Sequence, residues 1–342
     1  MIMNRLMGVA AAPFSSVSVA TLGTSFVPKS LHVVNGLWLI GGNIFEASSN
    51  AVLAQSDDGQ TFTITEFTHH PFDLRGVGFT NGAVIFAGHD MYPARWINKA
   101  IGTLTNGTDR TSIYRWSDRS FGSTVYGTDI VVNGEQAYVT GHYTAGYPCL
   151  NVYATAVPSF STSWSNGLPS PPICVALAGS RPVWVSAYGH IGEKSSVGAT
   201  YLNGYSQVAE DLTGISTQRI AYVNKTVVVG GKKSDGTYIW YSTNTPSSSM
   251  TWTEKKISNT AGDVKGICAV GQKTVVMYAP TNGGIRFWAS KPNNIASTLI
   301  TDYWDERLNP IATNTAVDMK DYNGRAMLVS YTGTTAYVCM IE

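Results

Sequence analysis

Apolar and polar positions alternate along this chain in short runs, and the runs repeat. Val33 to Gly42, VVNGLWLIGG, reads as a strand, an Asn-Gly turn, a second strand and a Gly-Gly stop. Asn-Gly between apolar runs is the strongest short-range hairpin signal, because both central positions of a type I′ turn take positive φ. Counterparts lie at 78–89, 130–142, 175–190, 220–231, 267–279 and 319–331. The turn residues are Gly36, Gly82, Gly134, Gly179, Lys225, Gly271 and Gly324, spaced by 46, 52, 45, 46, 46 and 53 residues. Seven units of that size occupy nearly all of the 342 residues.

A third strand follows most hairpins: 51–56, 112–117, 149–155, 237–243 and 284–290. A weaker fourth is readable at 61–67, 162–166 and 251–257. No stretch has helical periodicity. Four strands in each unit of roughly 45–50 residues predict the blades of a β-propeller, whose radial closure removes the open edges of stacked hairpins. The expected fold is therefore all-β: a seven-bladed β-propeller of four-stranded antiparallel blades, forming a single domain over 1–342. Residues 1–32 are expected to form an N-terminal arm and closing strand, and 33–342 the seven repeats. The last unit ends with TAYVCMI (335–341) and lacks a fourth strand, while SSVSVATL (15–22) is strand-like without a blade. That N-terminal strand is expected to close the last blade.

Composition narrows the setting. Charged residues make up 13% of the chain, about half the roughly 25% usual in soluble domains. Such a deficit suits a turn-rich β protein, or a surface partly covered by neighbours. The formal net charge is +1, and the basic pairs are only Lys232-Lys233 and Lys255-Lys256. Nucleic acid is excluded as an expected partner. No apolar run approaches the ~18 residues of a membrane span, so no membrane insertion is expected. Four cysteines (Cys149, Cys174, Cys268 and Cys339) lack metal-ligand spacing and read as packed thiols. Cys149 and Cys174 are the one pair near enough in sequence to suggest a disulfide. At the N-terminus, Arg5 precedes an apolar run of only Leu6 to Ala12, at the lower limit for a secretory signal, so none is expected.

The heptapeptide Ser56-Asp57-Asp58-Gly59-Gln60-Thr61-Phe62 fits the pattern Ser-x-Asp-x-Gly-x-x-aromatic. It resembles the Asp-box, or BNR, repeat of sialidase-like β-propellers. The physical logic is a turn between third and fourth strands, with a carboxylate accepting backbone N–H bonds and an aromatic ring packing beneath. The structural residues of this turn are Ser56, Asp58, Gly59 and Phe62. Degenerate copies at 153–164, 241–252 and 287–294 place Pro in the same turn. The resemblance implies the fold and says little about activity, because propellers host unrelated functions. A sialidase would carry an arginine triad, a Tyr nucleophile with a Glu partner, an Asp acid/base and an early Arg-Ile-Pro motif. That motif is missing, and Arg181-Pro182 lacks the Ile. Arg75, Arg115, Arg219 and Arg286 supply a triad by number only. No catalytic residue is assigned, and neither a cofactor nor a metal is expected.

In a propeller the Asn-Gly turns and the Asp-box share one face, and the longer second-to-third loops occupy the other, where a ligand is expected. Each of three consecutive units places a Gly-His pair at the end of its second strand, giving His89, His142 and His190. A three-His zinc site is the sharper reading. Loop residues bonded to local backbone are the plainer one, and the one adopted. Residues 90–111 read as the longest loop between second and third strands, made apolar by Met91, Tyr92, Trp96 and Ile97. Together His89, Tyr92, Trp96, His142, Tyr143 and His190 form the expected ligand- or partner-binding face. Asp302, Asp305 and Glu306 around Trp304 could serve a glycosidase but read as a solvated link. The repeat aromatics Tyr114, Tyr153, Tyr241 and Trp288 read as blade core.

The leading expectation is a non-enzymatic structural or interaction protein, a bacteriophage virion component of the tail or head surface. Its partners would be other virion proteins or copies of itself, and its location the virion. A carbohydrate- or receptor-binding propeller engaging a host surface glycan is the alternative, and a sialidase-like glycoside hydrolase the third.

Overall fold

The structure, a computed structural model, describes residues 14–34, 36–44, 50–71, 73–80, 83–89, 94–96, 113–115, 125–133, 136–143, 148–154, 160–161, 172–193, 205–243 and 250–342. Its first strand, β1 (Val17–Thr24), stands apart from the order that follows. The next four, β2 (Phe26–Val34), β3 (Leu37–Ile44), β4 (Asn50–Ser56) and β5 (Thr63–Pro71), form one antiparallel sheet in sequence order. A second sheet comprises β6 (Asp73–Thr80), β7 (Ala83–His89), β8 (Ala94–Trp96) and β9 (Ile113–Arg115). The third holds β10 (Val125–Asn133), β11 (Gln136–Tyr143), β12 (Pro148–Ala154) and β13 (Phe160–Ser161). The fourth holds β14 (Pro172–Ala178), β15 (Arg181–Ser186), β16 (His190–Glu193) and β17 (Tyr205–Gln207). The fifth holds β18 (Ser216–Val223), β19 (Thr226–Lys233), β20 (Gly236–Ser242) and β21 (Thr253–Ser258).

An eight-stranded sheet ends the chain. Half of it is β22 (Gly262–Val270), β23 (Lys273–Pro280), β24 (Arg286–Lys291) and β25 (Asn294–Tyr303). The other half is β26 (Thr315–Tyr322), β27 (Arg325–Thr332) and β28 (Thr335–Ile341), with β1 antiparallel against β28. The halves meet through one parallel bridge, Gly266 to Met319. Arg307 fixes the entry to β1 by donating to the carbonyls of Phe14 and Ser15.

The hairpin turns follow their local chemistry. Asn224-Lys225 and Asn323-Gly324 hold positive φ at both central positions, 49° and 63°, then 51° and 79°, the requirement of a type I′ turn. Around these hairpins the sheets pack face to face. Trp38, Trp184, Trp240 and Trp288 are buried at 2% exposure or less; burying each indole contributes about 4–6 kcal/mol. Cores span neighbouring sheets: Tyr138 with Trp184, Val183 with Val227, Val228 with Val276, and Met277 with Leu328. One further core joins the final sheet to the first, with Trp38 and Ile40 against Met327 and Val329. Between the second and third sheets, Gly76 leaves only 2.7 Å from its missing Cβ to the Ile130 methyl.

The innermost strands share an irregularity. The ladder to the second strand slips one residue between Pro28 and Ser30, Leu74 and Gly76, Gly127 and Asp129, and Pro172 and Cys174. It slips again between Thr217 and Arg219, Val264 and Gly266, and Ala316 and Asp318. A β-bulge recurs at one place in each repeat, bending the strand and re-aiming its side chains.

Several expected elements move. The inner strand of the first sheet begins at Phe26 rather than about Val33, because the bulge absorbs Pro28 and Lys29 into the strand. Residues 113–115 are a fourth strand, not a third; the third is Ala94–Trp96, too short to show alternation. Trp96 therefore lies in a strand, and the long insertion falls after it, at 97–112, outside the described residues. His190 opens a third strand instead of ending a second one. The fourth strand of the third sheet is Phe160–Ser161, with 162–166 outside the described residues. Asn294–Tyr303 is a fourth strand whose mixed pattern hid it. Tyr241 is only half-buried, and its neighbour Trp240 takes the core position that Trp288 fills in the next sheet.

Candidate functional site: the central channel

All the inner strands, β2, β6, β10, β14, β18, β22 and β26, line one cavity of about 850 Å³. Successive sheets contribute Val33, Val77, Ile130, Val175, Ile220 and Ile267 to its wall. His32, Asp129, Lys320 and Asp321 are the basic and acidic side chains that line this cavity, and Lys29, Arg75, Arg219 and Asp318 line a smaller void next to it.

Asp129 and Asp318 are placed alike. Each follows the bulge of its strand. Asp129 accepts the Ile130 N–H at 2.9 Å with one oxygen and the Val175 N–H of the next sheet at 3.0 Å with the other. Asp318 accepts the Met319 N–H at 2.8 Å and, with its second oxygen, the Leu31 N–H at 3.4 Å. The same clamp thus joins the third sheet to the fourth and the final sheet to the first. Gln218 makes a related contact, accepting the Val264 N–H at 3.3 Å. Arg219 donates to the carbonyls of Lys265 at 3.0 Å and Val317 at 3.2 Å and lies 3.9 Å from Asp318.

Electrostatics follow from burial and these partners. Burial opposes the charge on Lys320, but Asp318 and Asp129 outweigh it and hold the ammonium well above its ordinary value. Arg219 is raised for the same reason. Burial depresses His32 more than Asp129 raises it, so the ring is neutral at pH 7 and its Nε2–H donates to the Arg75 carbonyl at 3.3 Å. Burial and then Asp129 push the Cys174 thiol up to about 12; it donates to Asp129 at 3.1 Å and is no nucleophile. Cys174, Cys268 and Cys339 are free and buried, so Cys174 forms no disulfide with Cys149.

The expected binding residues are not part of this channel as far as they are described. His89 ends β7, His142 lies next to last in β11, and Tyr143 ends that strand. Their side chains and that of Trp96 lie outside the described residues, as does Tyr92 altogether. His190 pairs with Gln207, and its Nδ1 lies 3.4 Å from the Ser186 hydroxyl in a local turn. Among the described residues no cluster of three His, Cys, Asp or Glu could hold a metal ion.

The Ser56–Phe62 segment joins β4 to β5. Asp58 accepts the N–H groups of Gln60 at 2.7 Å and Thr61 at 2.8 Å and the Ser56 hydroxyl at 2.8 Å, while Gly59 has φ 75°. Those bonds hold the Asp58 carboxyl down at about 2, and Phe62 packs on the core beneath. In the acidic link at 302–306, Asp302 and Glu306 are exposed, as expected of a solvated link, and Asp305 is the exception. Asp305 is 4% exposed, capped onto Arg307 at 2.7 Å, and Asp302 accepts the Tyr278 hydroxyl at 2.6 Å. Both carboxylates are committed to structure.

Sequence reading missed Lys29, Arg75, Asp129, Arg219, Asp318 and Lys320 as a group. Lys29, Arg75, Thr128, Gln218 and Lys265 sit six or seven residues before their turn residues, polar positions inside apolar strands.

No family model matches the chain, and no curated protein sequence matches it. Solved structures do. YCF48 bound to D1 peptide aligns with a TM-score of 0.67 at 11% identity, over 97% of this chain and 98% of that one. The Cps50 (Swd1) β-propeller domain of Myceliophteria thermophila aligns at 0.62 and 8% identity, covering 94% and 99%. The WD40 β-propeller domain of Doa1 aligns at 0.59 and 12% identity, covering 94% and 95%. The chain has the β-propeller fold.

Proposed function

We propose that this chain is a closed seven-bladed propeller, with β1 as the closing strand of the last blade, and that it acts as a non-enzymatic interaction scaffold in a bacteriophage particle. The clamp from Asp318 to Leu31 supports closure, since it repeats the contact between Asp129 and Val175. The observation that carries the functional reading is the commitment of the channel carboxylates. Asp129 and Asp318 each bridge two backbone N–H groups, and Asp321, which also lines the channel, accepts the Ala269 N–H at 3.1 Å, so each is held by the strands rather than presented as the acid/base of a hydrolase. Partner contact is assigned to the face where the inner strands begin, near Lys29 and Arg75. By analogy of fold alone, the D1 peptide bound to YCF48 supports a protein partner over a glycan.

Cross-linking mass spectrometry on purified phage particles tests this. Links from Lys29 to another particle protein are expected, together with no turnover of sialosides or other glycosides by the purified chain. A monomer that never enters particles would overturn the assignment.

A further inference from the structure

Away from the channel, a pocket of about 340 Å³ opens between the end of β19, the β22–β23 pair and the start of β26. Lys232 pairs with Ser216 at the start of β18, and Pro280 with Gly262 at the start of β22, so the pocket lies on the face where the inner strands begin. Its charge is uneven. The Lys232 Nζ lies 2.6 Å from one oxygen of Asp263 and the Lys265 Nζ 3.3 Å from the other, so two ammonium groups share one carboxylate. Asp263 is the only acidic residue in the lining, and each ammonium keeps further N–H donors beyond that bond. A third cation stands at the rim. The Arg286 Nη1 comes 3.3 Å from the Cβ position that Gly284 lacks, and Gly284 lines the pocket. Arg286 donates to the Ile285 carbonyl and lies 5.9 Å from the Trp304 ring, and among the described residues it has no carboxylate partner.

We propose that this pocket seats an acidic segment of a partner protein, with one carboxylate between Lys232 and Lys265 and a neighbouring one at Arg286. The proposal rests on the scaffold reading above and adds the chemistry of the partner. Charge sets the sign. Three cations surround one carboxylate, so a basic segment or a metal cation is repelled, and two acidic side chains bring the local balance to zero. Exposure sets the kind of ligand. The Lys232 and Lys265 side chains are 33% and 29% exposed, so each ion pair is screened and weak, and a free ion gains little. A peptide adds contacts to the exposed Thr281, Thr313 and Thr315. It can also approach the backbone at Gly283 and Gly284, at φ 89° and 82°, where no side chain intervenes.

Titrations of the full-length chain test it, with a capped peptide of alternating Asp and Gly, its Asn counterpart, and inorganic phosphate. Each is followed by the amide resonances of Gly283 and Gly284. The Asp peptide should shift both saturably, and added sodium chloride should weaken it. Lys232→Gln and Arg286→Gln should each weaken binding about two- to fivefold, the size of an exposed ion pair, with thermal melts unchanged. No saturable shift with the Asp peptide, equal affinity for the Asn peptide, or unchanged affinity in both variants overturns the site. Saturation by phosphate at the same affinity means a free-ion site and overturns the protein partner. Particle cross-links from Lys29 without acidic-peptide binding overturn this site alone and leave the scaffold reading standing.

Discussion

Single residues hold this molecule through turns and tight packing. Asp58 has a folded pKa of about 2, below the 3.8 of a free carboxyl, because its charged form accepts two N–H groups and a hydroxyl. The sign follows: its contribution is complete above about pH 4 and is lost as pH falls towards 2. An NMR titration of the side-chain carboxyl should give that low midpoint. Melts of Asp58→Asn should fall below the parent at pH 7 and converge with it near pH 2. Gly192 makes a steric case. It faces Trp184 across the ladder, and a Cβ at this position would lie inside the indole ring. Trp184 is 1% exposed and has no room to retreat. Gly192→Ala should therefore cost about 1–3 kcal/mol in chemical denaturation.

At the scale of strands, the bulge and the carboxylate after it form one device. The bulge turns the next side chain towards the following sheet, and Asp129 and Asp318 use that direction to bridge two strands. Asp318→Asn keeps one acceptor, loses the other and removes the countercharge of Lys320 and Arg219. It should cost about 1.5–3 kcal/mol, read from the urea midpoint with an unchanged slope. The same device explains what was legible in the sequence. The hairpin turns were, since Asn-Gly chemistry is local, and Thr335–Ile341 matched its predicted bounds. The Phe26 start was hidden, because Pro28 and Lys29 break the alternation that the bulge permits. The charged cluster was hidden for another reason. Its members come from β2, β6, β10, β18 and β26, strands far apart in the sequence that meet only around one void.

On the scale of the whole molecule, each sheet rests on its neighbours, and the final sheet meets the first through the same kinds of contact as the interior pairs. No helix among the described residues is long and apolar enough to cross a membrane. The pairing of β1 with β28 adds something about the order of the chain itself. Ser15 N–H donates to the Glu342 carbonyl at 2.6 Å, and Glu342 N–H donates to Ser16 at 3.1 Å. Only Ser25, at φ 66°, separates β1 from β2. A short Gly-rich linker from Glu342 to Phe14, with new termini opened at Ser25, should give a circular permutant that folds. Its circular dichroism should match the parent and its melting should stay cooperative, since the permutant cuts no sheet and makes every four-stranded unit contiguous. The order in which this chain is threaded would then be a matter of genetic history rather than of architecture.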